Sequence, residues 1–265
     1  MPTYQYFRRY MGIYAVFFFF FKCGDMKYGC QSYDYEDGTL VFISPGQVYG
    51  IDSKGKIIKP SGKALVFHPD LMINTDLMRK IKDYTFFSYD VNEALHLSKR
   101  ERATINDCFE KIAYEIDQNI DKHSKTLIVS NIELFLNYCM RFYDRQFITR
   151  TNVNKDILVR FENLLNDYFK SDNAQTSGLP SVTFCAEELH LSPNYFGDLI
   201  KKETGNTALD YIQTKLIDEA KSKIFDASKS INDIANELGF KYQQHFTRLF
   251  KQKTGVTPNE YRNLN

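Results

Sequence analysis

The sequence contains no tryptophan, and its charges almost cancel, with 34 Lys and Arg residues against 33 Asp and Glu residues and a formal net charge of +1 at pH 7. A net charge so close to zero gives no global argument for binding nucleic acid. The segment from Ala174 to Asn265 is balanced as well. One short stretch near the end differs, because Glu260 is its single acidic residue while its basic residues are Lys241, Arg248, Lys251, Lys253 and Arg262. Such a local basic face is enough to contact phosphates.

The cysteines and histidines lack the spacings of metal sites and disulfide frameworks. Five of each are present, with no CxxC, HxH or HExxH pattern. Phosphate-binding GxGxxG and P-loop motifs and the nucleophile motif GxSxG are absent too. We therefore expect no catalytic residues, no metal and no cofactor. Free thiols are typical of a reducing compartment, and we predict a cytoplasmic protein.

An apolar run, MGIYAVFFFFF, follows Arg8 and Arg9 and superficially resembles a signal peptide. The run is too short to span a bilayer as a helix, and KCGD follows it instead of a small-residue cleavage site. We interpret it as a buried strand and expect neither export nor a membrane partner.

The first part of the chain alternates short apolar stretches with turn signals. Between about Tyr4 and His68 the stretches IYAVFFFFF, TLVFI, VYGI and KALVF are separated by KCGD, SPGQ and DSKGK. This spacing predicts an antiparallel β meander, sandwich or small barrel.

Apolar residues then recur at helical spacing from Leu71 to Ile81, from Ile105 to Ile120, and after Ser124. A further helix is predicted from about Asn154 to Phe169, followed by the polar segment SDNAQTSGLP, which is typical of a linker. We predict an α+β chain with a mixed domain over 1–170, β-rich to about residue 70, a linker over 171–180, and an all-α domain over 181–265.

The all-α segment contains an internal repeat. Ala186, Leu189 and Leu191 correspond to Ala235, Leu238 and Phe240 at a shift of 49 residues. After one inserted residue the shift is 50, which relates the segment from Phe196 to Tyr211 to the segment from Phe246 to Tyr261. Each copy is predicted to form a helix, a turn and a second helix.

In the second copy, Ser230 is the predicted N-cap of a helix that ends at Gly239. The next helix is predicted to bury His245, Phe246, Leu249 and Phe250 and to expose Gln244, Thr247, Arg248 and Lys251 on the opposite face. Gln can pair with adenine, Arg with guanine and Lys with phosphate. An ordinary solvated surface has similar residues, and the duplicated helix-turn-helix context favours a DNA-reading face.

A stripe of Leu209, Ile212, Leu216, Ala220 and Ile224 predicts one long helix between the copies. Such a connector would fix the separation of two recognition helices, so that they could enter successive major-groove turns.

At these residues the sequence resembles the AraC family of bacterial transcription regulators. The segment INDIANELGFKYQQHFTRLFKQKTGVTPNEYR, from Ile231 to Arg262, is similar to the carboxyl-terminal signature of that family. The resemblance implies double-stranded DNA as partner, with helices near Pro193 to Glu203 and Gln243 to Lys253 in contact with it. The implied DNA-binding residues are Asn194, Lys201, Lys202, Gln243, Gln244, Thr247, Arg248 and Lys251.

The first copy departs from strong base readers, because its equivalent positions are Asn194, Gly197 and Asp198. An aspartate repels phosphate unless it accepts a hydrogen bond from cytosine. We expect the first copy to supply mainly phosphate contacts from Lys201 and Lys202, with Asn194 as its best base reader.

In general layout, the amino-terminal half resembles the cupin-like sensor domain of that family. The resemblance implies a homodimer, a small-molecule effector and, for an activator, contact with RNA polymerase. A barrel could enclose the effector or be filled by its own Phe side chains. The helices after it offer residues for either a dimer interface or a core, namely Ile105, Phe109, Ile112, Leu127 and Phe135.

The leading hypothesis is a ligand-responsive activator that binds promoter DNA as a dimer. Two alternatives stay open: a constitutive DNA-binding protein whose amino-terminal domain only dimerises, and a cupin-type enzyme with a DNA-binding tail.

Overall fold

The computed structural model describes residues 9–10, 12–19, 38–49, 62–90, 93–226 and 228–263. Contacts divide the chain into two compact units, Met1–Thr149 and Arg150–Asn265, which we call unit 1 and unit 2. Each unit has a hydrophobic core of its own.

Unit 1 contains a small antiparallel sheet. Its described strands are β1 (Arg9–Tyr10), β2 (Tyr14–Phe19), β3 (Thr39–Ile43), β4 (Val48–Tyr49), β5 (Gly62–Phe67) and β6 (Leu95–His96). Four of them form a sheet in the order β5-β2-β3-β6, and β1 pairs with β4. The apolar run after Arg9 supplies the central strand β2, in which Ala15, Val16 and Phe18 are buried. A barrel or sandwich is not confirmed by the described strands. The predicted turns KCGD and DSKGK lie outside the described residues.

The segment after β5 differs from the single helix predicted over Leu71 to Ile81. A 3-10 turn spans Pro69–Met72, helix α1 spans Asp76–Lys80, and further 3-10 turns span Ile81–Asp83 and Thr85–Ser88. Asn74 has a φ of 63°, a left-handed conformation that interrupts a right-handed helix. The apolar residues have helical spacing, but the helical backbone is interrupted at Asn74.

Two long helices, α2 (Lys99–Asp117) and α3 (Ser124–Thr149), pack against each other, and the two helices predicted here are confirmed. Ser98 caps α2 by accepting a hydrogen bond from the Glu101 N–H, while the Glu101 carboxylate accepts one from the Ser98 N–H. The predicted stripe ends early, since Ile116 and Ile120 are 61% and 94% exposed.

The dimerisation candidates divide between core and surface. Ile105, Phe109, Ile112 and Phe135 are buried within unit 1, and the Phe109 ring lies between those of Phe18 and Phe135, at centroid distances of 6.0 and 5.5 Å. Leu127 is 44% exposed. Of the two roles left open for these positions, the structure gives the first four a place in the core.

Aromatic rings fill much of the described core of unit 1. The Phe42 ring lies 4.4 Å from that of Phe86 and 5.6 Å from that of Phe87, and Phe86 stacks on Tyr143 at 5.5 Å. Rings packed at these distances leave little room between them. Phe42, Phe86 and Phe87 therefore fill the described core of this unit with their own side chains.

Unit 2 is wholly helical in its described residues, as predicted for the carboxyl-terminal domain. Its helices are α4 (Thr151–Lys170), α5 (Asn173–Ser177), α6 (Val182–Glu188), α7 (Pro193–Thr204), α8 (Ala208–Ile224), α9 (Ile231–Glu237), α10 (Gln243–Thr254) and α11 (Pro258–Arg262).

Helix α4 lies in unit 2, so the division falls about twenty residues before the boundary predicted near residue 170. The fully buried Phe161 ring meets Phe196 of α7 edge-on at 4.9 Å and the Tyr211 ring of α8 at 5.3 Å. The Asn154 amide donates to Glu203 at 2.9 Å. These contacts make α4 part of the helical core that holds α7.

The segment 171–180, predicted as a linker, is packed within unit 2. It contains α5, and Ala174 is buried. The Tyr168 hydroxyl donates to the Gly178 carbonyl at 2.9 Å. The polar composition of the segment predicted a linker, although one of its residues, Ala174, is buried in unit 2.

In the described part of the chain no helix is long and apolar enough to cross a membrane. Among the same residues, no group of three or more His, Cys, Asp or Glu side chains could hold a metal ion.

Candidate DNA-reading surface

Helix α9 opens the second helix-turn-helix with a capping box. The Ser230 hydroxyl accepts from the Asp233 N–H at 3.1 Å, and the Asp233 carboxylate accepts from the Ser230 N–H at 3.0 Å. Hydrogen bonds from Ser230 lower the pKa of Asp233 below its usual value. Ile231, Ile234 and Ala235 are buried on its inner side, as the sequence predicted.

Gly239 ends α9 in a left-handed conformation, with a φ of 89°. The chain then turns inward, and the Phe240 N–H donates to the Ala235 carbonyl at 2.9 Å. A Cβ at position 239 would lie 2.6 Å from the Ala174 carbonyl oxygen and 2.8 Å from the carbonyl carbon of Gly178. Glycine is therefore required twice, by the turn that the sequence predicted and by a close backbone approach that it did not reveal.

Helix α10 has one buried side and one polar side. Phe246 and Phe250 are fully buried, and their rings contact each other, Phe240 and Tyr261 at 5.4 to 5.7 Å. The opposite side, which we call the α10 polar face, consists of Gln243, Gln244, Thr247, Arg248 and Lys251. Gln244, Arg248 and Lys251 are exposed, and Gln243 and Thr247 are partly exposed. This arrangement leaves the polar row accessible to a macromolecule.

His245 was wrongly predicted to face inward. It is exposed, and its ring lies 5.9 Å from that of Tyr242, which is 57% exposed. Phe246 and Phe250 suffice to anchor the helix, with Leu249 partly buried. The three-to-four residue spacing placed His245 at the margin of the stripe, where its polarity favours the outside.

Two of the five predicted basic residues have structural partners. The Lys253 ammonium lies 2.8 Å from the Asp210 carboxylate, and its hydrogen bond lowers the pKa of Asp210. The Arg262 guanidinium donates to the carbonyls of Ile224 and Lys229 at 2.7 and 3.0 Å. The basic groups left at the second helix-turn-helix surface are Lys241, Arg248 and Lys251.

Lys241 and Tyr242 belong to this surface as well. Lys241 is one of the five residues of the basic stretch, but neither residue was among the DNA-binding residues implied by the family resemblance. Both are exposed, and the Lys241 ammonium lies 5.7 Å from the centre of the Tyr242 ring. Their position directly before α10 was the available signal, because a helix N-terminus with a neighbouring cation attracts phosphate.

The first helix-turn-helix repeats this geometry, with one difference in the turn. Ser181 caps α6, Ser192 caps α7, and the Leu191 N–H donates to the Ala186 carbonyl at 2.9 Å. The equivalent of Gly239 is His190, whose φ of 59° is unfavourable for a residue with a side chain. The turn therefore keeps its shape in both copies, at a conformational cost in the first.

Helices α7 and α10 match in register, which supports the 50-residue shift seen in the sequence. Each has 12 residues and ends at a left-handed glycine, Gly205 or Gly255, whose N–H donates to the carbonyl of Lys201 or Lys251. We call Asn194, Gly197, Asp198 and Lys201 the α7 polar face; Asn194 and Lys201 are exposed, and the other two are partly exposed. Lys202, beside this face, is exposed as well. The buried side consists of Tyr195, Phe196, Leu199 and Ile200.

Helix α8 joins the two copies as the predicted long helix. Ile212, Leu216, Ala220 and Ile224 are buried, as expected. Leu209 was wrongly assigned to this stripe, because it is 52% exposed while the preceding Ala208 is buried. One residue of displacement in the first turn moves a side chain by 100° around the axis.

The comparisons with known proteins agree with this geometry. Residues 185–264 match the family model described as a helix-turn-helix domain. The chain is 32% identical over 143 residues to the Transposon Tn10 TetD protein of Escherichia coli, which covers 54% of this chain and 91% of that protein. It is 30% identical over 81 residues to the arabinose operon regulatory protein of Salmonella typhimurium, covering 31% and 29% of the two chains.

A solved structure that resembles part of this chain is the C-terminal domain of AraT, a response regulator from Geobacillus stearothermophilus. It is 26% identical, with a TM-score of 0.37, and the match covers 41% of this chain and 85% of that one. Against the first curated relatives the chain spans only 19%, 32% and 44% of their lengths.

TetD is matched over nearly its whole length, and the described structure of this chain contains two helix-turn-helix copies in one register. The family model falls on the same helices, α6 to α11. This chain belongs to the AraC family of bacterial transcription regulators.

Proposed function

We propose that the protein is a sequence-specific, DNA-binding transcription regulator that acts in the cytoplasm and has no enzymatic activity. One observation supports this most strongly. The α10 polar face presents Gln244, Thr247 and Arg248 on the outside of a helix that Phe246 and Phe250 hold from behind. An amide, a methyl-bearing hydroxyl and a guanidinium in one row match the base edges of the major groove.

Within this proposal the two copies have different roles. Helix α10 supplies most base contacts through Gln243, Gln244, Thr247 and Arg248, with Lys251 near phosphate. Helix α7 supplies phosphate contacts through Lys201 and Lys202, with a base contact from Asn194. Phosphate contacts position the protein, while base contacts provide discrimination.

The test compares Arg248→Ala with Arg160→Ala, an exposed arginine on α4 that lies outside both polar faces. Binding to a duplex selected from random sequences is measured as a function of salt. For the unchanged chain, six or more phosphate contacts predict a steep fall in affinity, with a slope of about −0.9 per contact. Arg248→Ala is expected to weaken binding about 5- to 150-fold, the loss of one bidentate base contact. Arg160→Ala should bind as the unchanged chain does, and equal losses in both variants, or a salt-insensitive complex, would contradict the proposal.

We further propose that the regulator binds DNA as a homodimer through the outer side of α3. Leu127 and Leu134, seven residues apart on this helix, are 44% and 39% exposed. Residues at this spacing lie on one helix face, and apolar side chains there are typical of helix pairing.

The double variant Leu127→Glu with Leu134→Glu is expected to shift the chain from dimer to monomer in sedimentation equilibrium. Replacing Val66 of β5 and Ile116 of α2 by Glu is the matched control, because these apolar residues are 50% and 61% exposed and lie outside α3. A dimer that persists in the first variant, or dissociates in the control, would exclude this face as the interface.

From the family resemblance we also propose that unit 1 binds a small-molecule effector and that the protein activates transcription through RNA polymerase. The constitutive alternative has an observation in its favour, namely the packing of Phe42, Phe86, Phe87 and Tyr143 in the described core. A ligand that binds the folded state raises its Tm, so a thermal-shift screen distinguishes a sensor from a dimerising domain.

A further inference from the structure

The polar faces of α7 and α10 differ at two equivalent positions. At the 50-residue shift, Gly197 stands where α10 has Thr247, and Asp198 stands where α10 has Arg248. Both α7 residues are partly exposed and share a side with Asn194 and Lys201. Where the second copy has two proposed base-contacting side chains, the first copy therefore has no side chain at one position and a negative charge in place of a positive one at the other.

Nothing in the described structure requires glycine at position 197. A Cβ added there would meet no atom within 4 Å, and the residue lies inside a regular 12-residue helix. Glycine inside a helix destabilises it relative to alanine. The folded chain thus gains nothing from the absence of this side chain, which is the condition expected where a backbone must come close to a ligand.

The neighbouring Asp198 has a short side chain, so its carboxylate extends less far from the helix than the guanidinium of Arg248. To meet a base edge, α7 must therefore lie deeper in the groove than α10. A helix face without a Cβ at position 197 permits that deeper position. The two departures from α10 are consistent with each other.

We propose that α7 enters the major groove with its backbone close to the bases at Gly197, and that the Asp198 carboxylate accepts a hydrogen bond from the N4 amino group of a cytosine. Asp198 is then a specificity-determining residue of the first copy. Cytosine is the base whose major-groove edge offers only that donor, which matches an acceptor side chain. This inference rests on the proposed function, since it assumes that the two polar faces meet DNA.

The negative charge of Asp198 also acts against binding wherever cytosine is absent. Lys201 and Lys202 follow it by three and four residues on α7 and are exposed. Their charges offset its repulsion from the phosphates. An unfavourable contact with the other bases contributes to discrimination as much as a favourable one with cytosine.

The experiment uses the full chain and the duplex that it selects from random sequences, together with every single-base variant of that duplex. In Asp198→Ala, the preference for cytosine at one position is expected to disappear, a loss of about 5- to 150-fold in discrimination there. Binding to the non-cytosine duplexes should improve, because the repulsion is removed. If affinity rises equally for all duplexes and the preference stays, Asp198 contacts no base and the inference is wrong.

The Gly197→Ala variant provides a second readout, the combination of a higher Tm with a lower affinity for DNA. A glycine required only by the fold would not give this combination. Its Tm is expected to rise by about 2–6 °C, while affinity for the selected duplex falls about tenfold or more. A higher Tm with unchanged affinity would exclude the close approach. Arg248→Ala, measured in parallel, distinguishes failure of this inference from failure of the proposed function. If Arg248→Ala alters the preferred sequence and Asp198→Ala does not, only this inference fails. If neither variant alters the preferred sequence, the proposed function fails.

Discussion

Replacing Phe161 by alanine is expected to destabilise unit 2 by about 3–5 kcal/mol, although this residue lies outside the segment that matches the helix-turn-helix model. Its ring is fully buried, edge-on to Phe196 of α7 and beside Tyr211 of α8. Deleting it leaves a cavity between α4 and the helix that carries the α7 polar face. The measurement is amide hydrogen exchange of the α7 and α8 backbone in the full chain, which should become at least about a hundredfold faster.

The matched control is Val159→Ala on the same helix. Val159 is 52% exposed, so its truncation should change stability by less than about 0.5 kcal/mol. Unchanged exchange in Phe161→Ala would mean that α4 does not support α7, and equal effects in both variants would mean that the loss came from α4 itself.

The Gly239→Ala variant is expected to lose about 2–5 kcal/mol of unfolding free energy. A side chain at a φ of 89° is strained, and the added Cβ would lie 2.6 Å from the Ala174 carbonyl oxygen. That neighbour is backbone, so no rotamer change relieves the contact. Urea denaturation followed by circular dichroism gives the change in unfolding free energy.

Gly255→Ala separates the two causes. Gly255 has almost the same φ, 86°, but a Cβ there would meet no atom within 4 Å. Its loss should be limited to the conformational part, about 1–2 kcal/mol. If both variants lose the same stability, the close approach of Gly178 and Ala174 to Gly239 contributes nothing.

The second helix-turn-helix could be predicted from local chemistry. Ser230 with Asp233, Gly239, and the spacing of Phe246 and Phe250 each determine a local feature through contacts a few residues apart. Such short-range rules do not depend on the rest of the chain. The exposure of Arg248 could be predicted from the same rules, because the positions of Phe246 and Phe250 determine which side of α10 faces outward.

Features set by distant partners could not be predicted in this way. The composition of the polar segment before residue 180 predicts a linker, because the backbone of Gly239, against which Ala174 and Gly178 lie, is far away in the sequence. The same holds for Lys253 and Arg262, whose positive charge suggested phosphate contacts. Their actual partners are the Asp210 carboxylate and two backbone carbonyls.

The helices of unit 1 illustrate a further limit. Their apolar stripes predicted α2 and α3, but a stripe does not state whether its partner is the same chain or another. Packing of Phe109 against Phe18 and Phe135 identifies the partner of that stripe as the chain's own core. Leu127 and Leu134 became interface candidates only once their exposure was known.

The most direct test of the central proposal, that the α10 polar face recognises bases, is selection of bound DNA from a random-sequence pool by the full chain and by its Arg248→Ala variant. We predict one enriched motif for the unchanged chain, with a guanine that the variant no longer selects while the rest of the motif persists. Recovery of the same guanine by both proteins, or no enriched sequence with the unchanged chain, would contradict the account.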